Sequence, residues 1–173
     1  MKKKTKSKQT PNTMAYIFIS GDQKKFDVSR ETAVMSALVC SMLEDNDHTT
    51  TVEIPLPNVH SKILEMIVRF CVHHVIHPMQ AISKPLKGTT MKDLVSEWDA
   101  EFIDNLSQTD LFELVKAANY MDIGCLLDLS CAKIASTLRG KTPQEIRENM
   151  GITTDFTPEE EARIKEENKW VLE

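Results

Sequence analysis

The chain reads as an α+β domain in which a small three-stranded sheet is surrounded by helices and followed by a helical extension. Three observations predict this. Residues 15–28 and 51–56 alternate with period two, as half-buried strands do, whereas apolar residues at helical spacing dominate the remainder. The strands and helices do not alternate regularly, which argues against a parallel, doubly wound sheet. Two further helix starts close the chain, Thr142-Pro143-Gln144-Glu145 and Thr157-Pro158-Glu159-Glu160.

Tyr16 and Phe18, then Phe26 and Val28, alternate across Ser20-Gly21-Asp22 and predict a hairpin. Ser29 is placed to cap one helix carrying Met35, Leu38, Val39 and Met42 on a single face, which the acidic stretch 44–47 stops. Along 51–56, Val52, Ile54 and Leu56 alternate, and Pro55 and Pro57 confine that strand to an edge or to its end. Asn58 is the expected N-cap of a helix buried through Ile63, Met66, Ile67 and Phe70.

Over 77–97 the periodicity is lost. Pro78, Pro85 and Gly88 interrupt a polar stretch longer than compact domains usually keep unless it is a mobile insertion, so it reads as a surface loop. Helical order resumes with Trp98 and Phe102. Ser107, three residues before Asp110, caps a helix bearing Leu111, Leu114, Val115 and Ala118. The helix after it carries Leu127, Cys131, Ile134 and Leu138 on one stripe and ends at Gly140, which suits a left-handed C-cap. By periodicity alone such a stripe is more often core than interface.

In both C-terminal helix starts a hydroxyl at N-cap, a proline at N1 and a glutamate at N3 satisfy the orphan amides of the first turn. These helices hold too little apolar surface to fold by themselves. The first contributes Ile146 and little else; between Glu159 and Lys169 only Ala162 and Ile164 are apolar, before Trp170, Val171 and Leu172 arrive together. A helix polar nearly all round has no core to dock on, so this segment reads as a partner-binding arm with Trp170 as a buried aromatic anchor.

Composition narrows the function. Hydrophobic residues at 41% and charged residues at 27% are ordinary for a globular domain. No apolar run reaches the length of a membrane span, and the N-terminus is a lysine run rather than a signal peptide, so a cytoplasmic and nuclear location with no membrane partner is expected. The net charge is −5, yet five lysines lie in the first ten residues, leaving 16 basic against 26 acidic groups in the remainder. So acidic a body argues against a nucleic-acid partner. Residues 1–13 read as a disordered, solvated arm rather than as a nuclear-import or phosphate-contacting patch.

Cys40, Cys71, Cys125 and Cys131 each fall in an apolar helical pattern, where a reduced thiol acts as a small hydrophobe, and no disulfide is expected. Cys71, His73, His74 and His77 have the look of a metal site, because Cys71, His74 and His77 repeat every three residues. No motif supplies a fourth ligand, and histidines near a helix C-terminus are accounted for by its free carbonyls and dipole, so no metal is expected. Phosphate loops, helical zinc-protease patterns and nucleophile elbows are missing, so the chain reads as non-catalytic and without a cofactor.

Six ungapped blocks give a more specific reading: IPLPNV at 54–59, WDAEF at 98–102, LFELVKAANYMDI at 111–123, LLDLSC at 126–131, GKTPQEIR at 140–147 and DFTPEEEARIKEENKW at 155–170. In this order they resemble the S-phase kinase-associated protein one family, the adaptors of cullin and F-box ubiquitin ligases. The resemblance implies a BTB/POZ fold over 14–140 and F-box-binding helices over 141–173, in an adaptor that joins a cullin to F-box proteins. It implies cullin contact at Asn119 and Tyr120, and F-box contact at Leu127, Cys131, Ile134, Ile146, Ile152, Phe156 and Trp170. A hydrophobic groove lined by these helices is then expected in the free chain. On the residues alone, Asn119 and Tyr120 read as an ordinary helix end, with Asn suited to a C-terminal position and Tyr to a core edge. The chain departs from the family pattern at 122–128, where a lysine usual in relatives is missing, in the 77–97 loop, which lacks the usual acidic character, and in the lysine tail. Some relatives carry a modified proline at the position of Pro143. A BTB adaptor in a kinetochore or elongin-like complex is the alternative, separated by whether a cullin binds, and a weak homodimer of the unbound chain stays open.

Overall fold

The computed structural model describes residues 15–44, 51–152 and 156–169. They fall into two compact units that part between Thr137 and Leu138. The lysine tail and Trp170 lie outside the described residues.

In the first unit, β1 (Ala15–Ser20) is the central strand of a three-stranded sheet of order β2-β1-β3, antiparallel to β2 (Lys25–Val28) and parallel to β3 (Thr51–Leu56). Phe18 stands opposite Phe26 on one side and Ile54 on the other. Burial alternates strictly along β3, with Val52, Ile54 and Leu56 inward, and the strand lies at an edge, where Pro55 removes no needed ladder bond. The hairpin turn is pressed against the chain leaving β3. Gly21 N–H donates to the Val59 carbonyl at 2.8 Å, and a Cβ at Gly21 would collide with the Pro57 carbonyl, so only glycine fits the approach.

Two helix starts differ from expectation, each because a distant part of the chain supplies a hydrogen bond. The single helix expected after Ser29 is two: Ser29 does cap α1 (Arg30–Ala33), but α2 starts anew at Ala37 and runs to Glu44. The break is made by the 121–122 turn. The buried Ser36 hydroxyl donates to the Met121 carbonyl and accepts from Val39 N–H, while the amides of Ala37 and Leu38 reach the carbonyls of Asp122 and Met121. Likewise α3 (Ser61–Ile76) is capped by His60 rather than Asn58. There the Asp22 carboxylate, from the hairpin turn, accepts from Ser61 N–H at 2.8 Å and Ser61 Oγ at 2.6 Å, which also holds that carboxyl well below its usual range.

Helix α3 is the centre of the core. Ile63, Leu64, Ile67, Phe70, Cys71 and His74 are buried on it, whereas Met66 is only half-buried. Phe70 sits against His74, Trp98 and Phe102, with ring centroids 4.2, 6.4 and 5.7 Å away. Trp98, Asp99 and Phe102 belong to α4 (Glu97–Asp104), whose N-cap is Ser96. Asp99 and His74 are both buried: His74 Nε2 lies 2.8 Å from Asp99 Oδ1, and Nδ1 lies 2.7 Å from the His77 carbonyl. Ser96 Oγ donates to the second Asp99 oxygen at 2.7 Å.

The 77–97 segment runs over the surface for most of its length, but it is tied to the core rather than inserted loosely. Ile82 and Met91 are buried, Met91–Asp93 forms a 3-10 turn, and α4 claims Glu97. Lys84 Nζ reaches Asp128 at 2.9 Å, and Ser136 Oγ lies 3.7 Å from the Met91 sulfur. These contacts strap the segment to α6 (Gly124–Leu138). Helix α5 (Gln108–Tyr120), capped by Ser107 as expected, packs on α3, and Lys62 meets Asp110 at 2.6 Å at their shared N-terminal end.

The second unit holds α7 (Pro143–Met150) and α8 (Pro158–Glu167). Neither buries a residue.

Removing one partner of a buried hydrogen-bonded pair strands the other, so Asp99→Ala should lower unfolding free energy by about 3–5 kcal/mol. Breaking the exposed Lys24–Glu65 contact with Lys24→Ala should change it by less than about 1 kcal/mol. Denaturant melts of both variants measure the contrast.

Candidate partner-binding surfaces

Asn119 and Tyr120 form the last turn of α5, Asn119 exposed and Tyr120 half-buried against the core. The three residues after them fix their position. Met121 and Ile123 are buried, Asp122 turns the chain with φ of 51°, and Ile123 N–H donates to the Ala118 carbonyl at 2.9 Å. The carbonyls of Met121 and Asp122 are held in turn by the start of α2. An exposed amide and a half-exposed phenol thus stand on a rigid corner.

On α6 the core face is Leu126, Leu129, Ser130 and Ala132. The stripe Leu127, Cys131, Ile134, Leu138 lies beside it rather than on it: Cys131 is exposed and the other three are half-buried. The expectation that all four cysteines act as interior hydrophobes therefore fails at Cys131, because its face of the helix turns away from the core. All four cysteines are free thiols. Cys71 is the opposite case: burial, and then the neighbouring Cys125, push its thiol up to about 12. Gly140, with φ of 76°, ends the helix as its sequence predicts.

In the second unit both capping boxes form. Thr142 and Thr157 accept from the amides of Glu145 and Glu160, whose carboxylates accept from the threonine amides at 2.7 and 2.9 Å. Those bonds, from the threonine backbones first, hold both carboxyls below the usual glutamate range. Gly151, with φ of 68°, closes α7. The side chains meet around a cleft of about 530 Å³ between α7 and α8, lined by Pro143, Arg147, Phe156 and Ile164 among others. Phe156 is 44% exposed and Ile152 43% exposed, with Arg147 lying over the Phe156 ring at 5.7 Å; Ile146 is half-buried. Apolar side chains that a packed helix would hide are left open to solvent here.

The residues Cys71, His73, His74 and His77 do not converge. Cys71 is buried, both His74 nitrogens are engaged, and His73 stacks on Trp98 with centroids 3.7 Å apart and planes 4° apart. Burial, then the neighbouring His74 and His77, lower the affinity of His73 for a proton. Among the described residues no group of three or more His, Cys, Asp or Glu side chains is placed to hold a metal ion. A reading of one stripe per helix also passes over a second apolar row on α3, Val68, Val72, Val75 and Ile76, at spacings i, i+4, i+7 and i+8.

Two family models match the chain: Skp1 family, tetramerisation domain, over residues 14–76, and Skp1 family, dimerisation domain, over residues 125–171. The S-phase kinase-associated protein 1 homolog of Tetrahymena thermophila is 45% identical over 155 residues, covering 90% of this chain and 92% of that protein. The SCF ubiquitin ligase complex protein SKP1a of Dictyostelium discoideum is 45% identical over 152 residues, 87% and 91% of the two chains. SKP1-like protein 4 of Arabidopsis thaliana is 40% identical over 158 residues, 91% and 95% of the two chains. No helix among the described residues is long and apolar enough to cross a membrane.

Thr142→Ala and Thr157→Ala should each remove about 1 kcal/mol of local helix stability, seen as faster amide exchange in α7 and α8. Because the native Glu145 and Glu160 carboxyls titrate below their unfolded values, their capping is complete at neutral pH and is lost as pH falls through the depressed native values. An acid titration followed by NMR should show α7 and α8 melting before α3.

Proposed function

The chain belongs to the Skp1 family, and on that premise we propose that it is the non-catalytic adaptor of an SCF-type ubiquitin ligase, joining a cullin scaffold to F-box substrate receptors. The observation that carries this reading is the row Leu127, Cys131, Ile134 on α6, in which Cys131 is exposed and Leu127 and Ile134 are only half-buried at the rim of the core that the helix's other face builds. Such a row is stabilised by covering it with another molecule's apolar side chains.

In this reading an F-box covers the α6 row together with Ile146, Ile152, Phe156 and Trp170. Burial contributes about 25 cal/mol per Å² of apolar surface, reduced by the losses of association and ordering. Helices α7 and α8 carry strong caps and almost no core of their own. Their ordering on contact lowers net affinity but lets one surface accept receptors of differing shape. The scaffold side differs in kind: Asn119 and Tyr120 ride on a corner pinned by buried Met121 and Ile123, so a cullin meets a preformed surface. Adaptor action follows from holding both partners at once, with substrate brought near a ubiquitin-charged enzyme elsewhere in the assembly.

Cys131→Arg, at an exposed position, should weaken F-box binding about tenfold or more while leaving cullin binding unchanged. Asn119→Ala with Tyr120→Ala should do the reverse. Titrations of purified chain against an F-box protein and against a cullin N-terminal domain read both effects. F-box binding without any cullin binding would place the chain in an assembly outside ubiquitin transfer.

A further inference from the structure

Six large apolar side chains are exposed among the described residues: Val34, Val72, Val75, Ile76, Ile152 and Phe156. Four of them fall within 14–76 and two within 125–171, the segments matched by the two Skp1 family models, whereas the described residues of 77–124 hold none. The first of those models is named for tetramerisation and the second for dimerisation. Open apolar surface is thus gathered in the two segments whose family models are named for contacts between copies.

On α3 three of these side chains make one continuous strip. Val72 and Ile76 are a turn apart, Val75 stands three residues from the first and next to the second, and they are 49%, 71% and 38% exposed. Val68, a turn before Val72, is half-buried at the rim of the core. No Asp, Glu, Lys or Arg lies between Arg69 and Lys84. That absence bears on the occupant. Outside the first ten residues the chain holds 16 basic against 26 acidic groups, so two copies carry like net charge and repel. A two-fold contact between copies also sets a patch against itself and brings charges within it close to their own like. An uncharged aliphatic strip avoids both penalties and is its own complement, since apolar side chains meet apolar side chains of the same kind.

We infer that Val72, Val75 and Ile76 form a contact between two copies of this chain, with α3 of each antiparallel across the two-fold and Val72 of one copy against Ile76 of the other. This contact is independent of the adaptor reading. Side chains at i, i+3 and i+4 form ridges that accept a like helix packed ridge into groove. Three aliphatic side chains bury far less than the roughly 1,200 Å² of a stable interface, so the contact alone is weak. Linkage strengthens it. Once two copies are joined through another face, each dimer presents two rows, and after the first pair of rows has met the second closes at a raised effective concentration. The row on α3 is then the contact that joins dimers into tetramers of closed symmetry.

The full-length chain and two variants, Val72→Asp with Ile76→Asp and Val72→Thr with Ile76→Thr, are followed by sedimentation equilibrium from about 1 μM to about 1 mM, with circular dichroism as the fold check. Methyl NMR of the native chain reads the row directly. The native chain should pass from monomer to larger species as concentration rises, with the methyl resonances of Val72, Val75 and Ile76 shifting as it does. Added salt should favour the larger species by screening like charge. The Asp pair should weaken self-association about tenfold or more, and the Thr pair by less. A native chain that stays monomeric throughout, or that associates with those methyl resonances unmoved, overturns the inference. Self-association of the Asp pair at native strength overturns it too, and should the Asp pair fail to fold, a Thr pair that associates as tightly as the native chain does the same. Each of these results leaves the adaptor reading standing, because none of them measures cullin or F-box binding.

Discussion

A helix can bury only the side it turns toward the core, and a sheet of three short strands gives the surrounding helices little surface to cover. Helix α3 meets this limit directly. Ile63, Leu64, Ile67, Phe70 and Cys71 occupy its one buried stripe, and α1, α4 and α5 pack against it. The apolar rows that remain on α3 and α6 after that stripe is filled are covered only in part: Val68, Leu127 and Ile134 pack on the edge of the core, whereas Val72, Ile76 and Cys131 stay exposed. The interaction surfaces of the protein are thus a consequence of how its core is shared out, not separate additions to it.

Polar groups decide the geometry that burial alone leaves loose. The His74–Asp99 contact, closed by Ser96 and the His77 carbonyl, ties the end of α3 to the start of α4 and to the segment between them. Apolar packing of Phe70 against Trp98 and Phe102 tolerates sliding; a buried pair with both histidine nitrogens engaged does not. Ser36 on Met121 and Asp22 on Ser61 act in the same manner, each fixing where a helix begins by a bond from far along the chain.

The two ends of the proposed adaptor differ in mechanical character for the same reason. The Asn119–Tyr120 corner stands on buried Met121 and Ile123, so its shape is set by folding itself. Helices α7 and α8 are held by their own capping boxes and expose Ile152 and Phe156. A surface made from marginal helices gains much of its order from the partner. One rigid face toward a common scaffold and one adaptable face toward varied receptors suit an adaptor.

Wherever a residue's role depends only on neighbours within a turn or two, the sequence by itself determined it. The edge strand with Pro55, the Ser107 cap, the two Thr-Pro capping boxes, the Gly140 stop and the buried stripe through Phe70 are all of this kind, because hydrogen bonds across one turn and side-chain periodicity are local physics. The candidate stripe on α6 was legible as a stripe but not as a surface. Spacing tells which residues share a face; only packing decides which face the core takes, and here it took Leu126 and Leu129 and left Cys131 outside. The tertiary structure likewise decided the break at Ser36, the shift of the α3 cap to His60, the burial of Ile82 and Met91 under an aperiodic segment, and the exposed valine row. Each of these turns on a contact between residues distant in the chain, and no local pattern encodes such a partner.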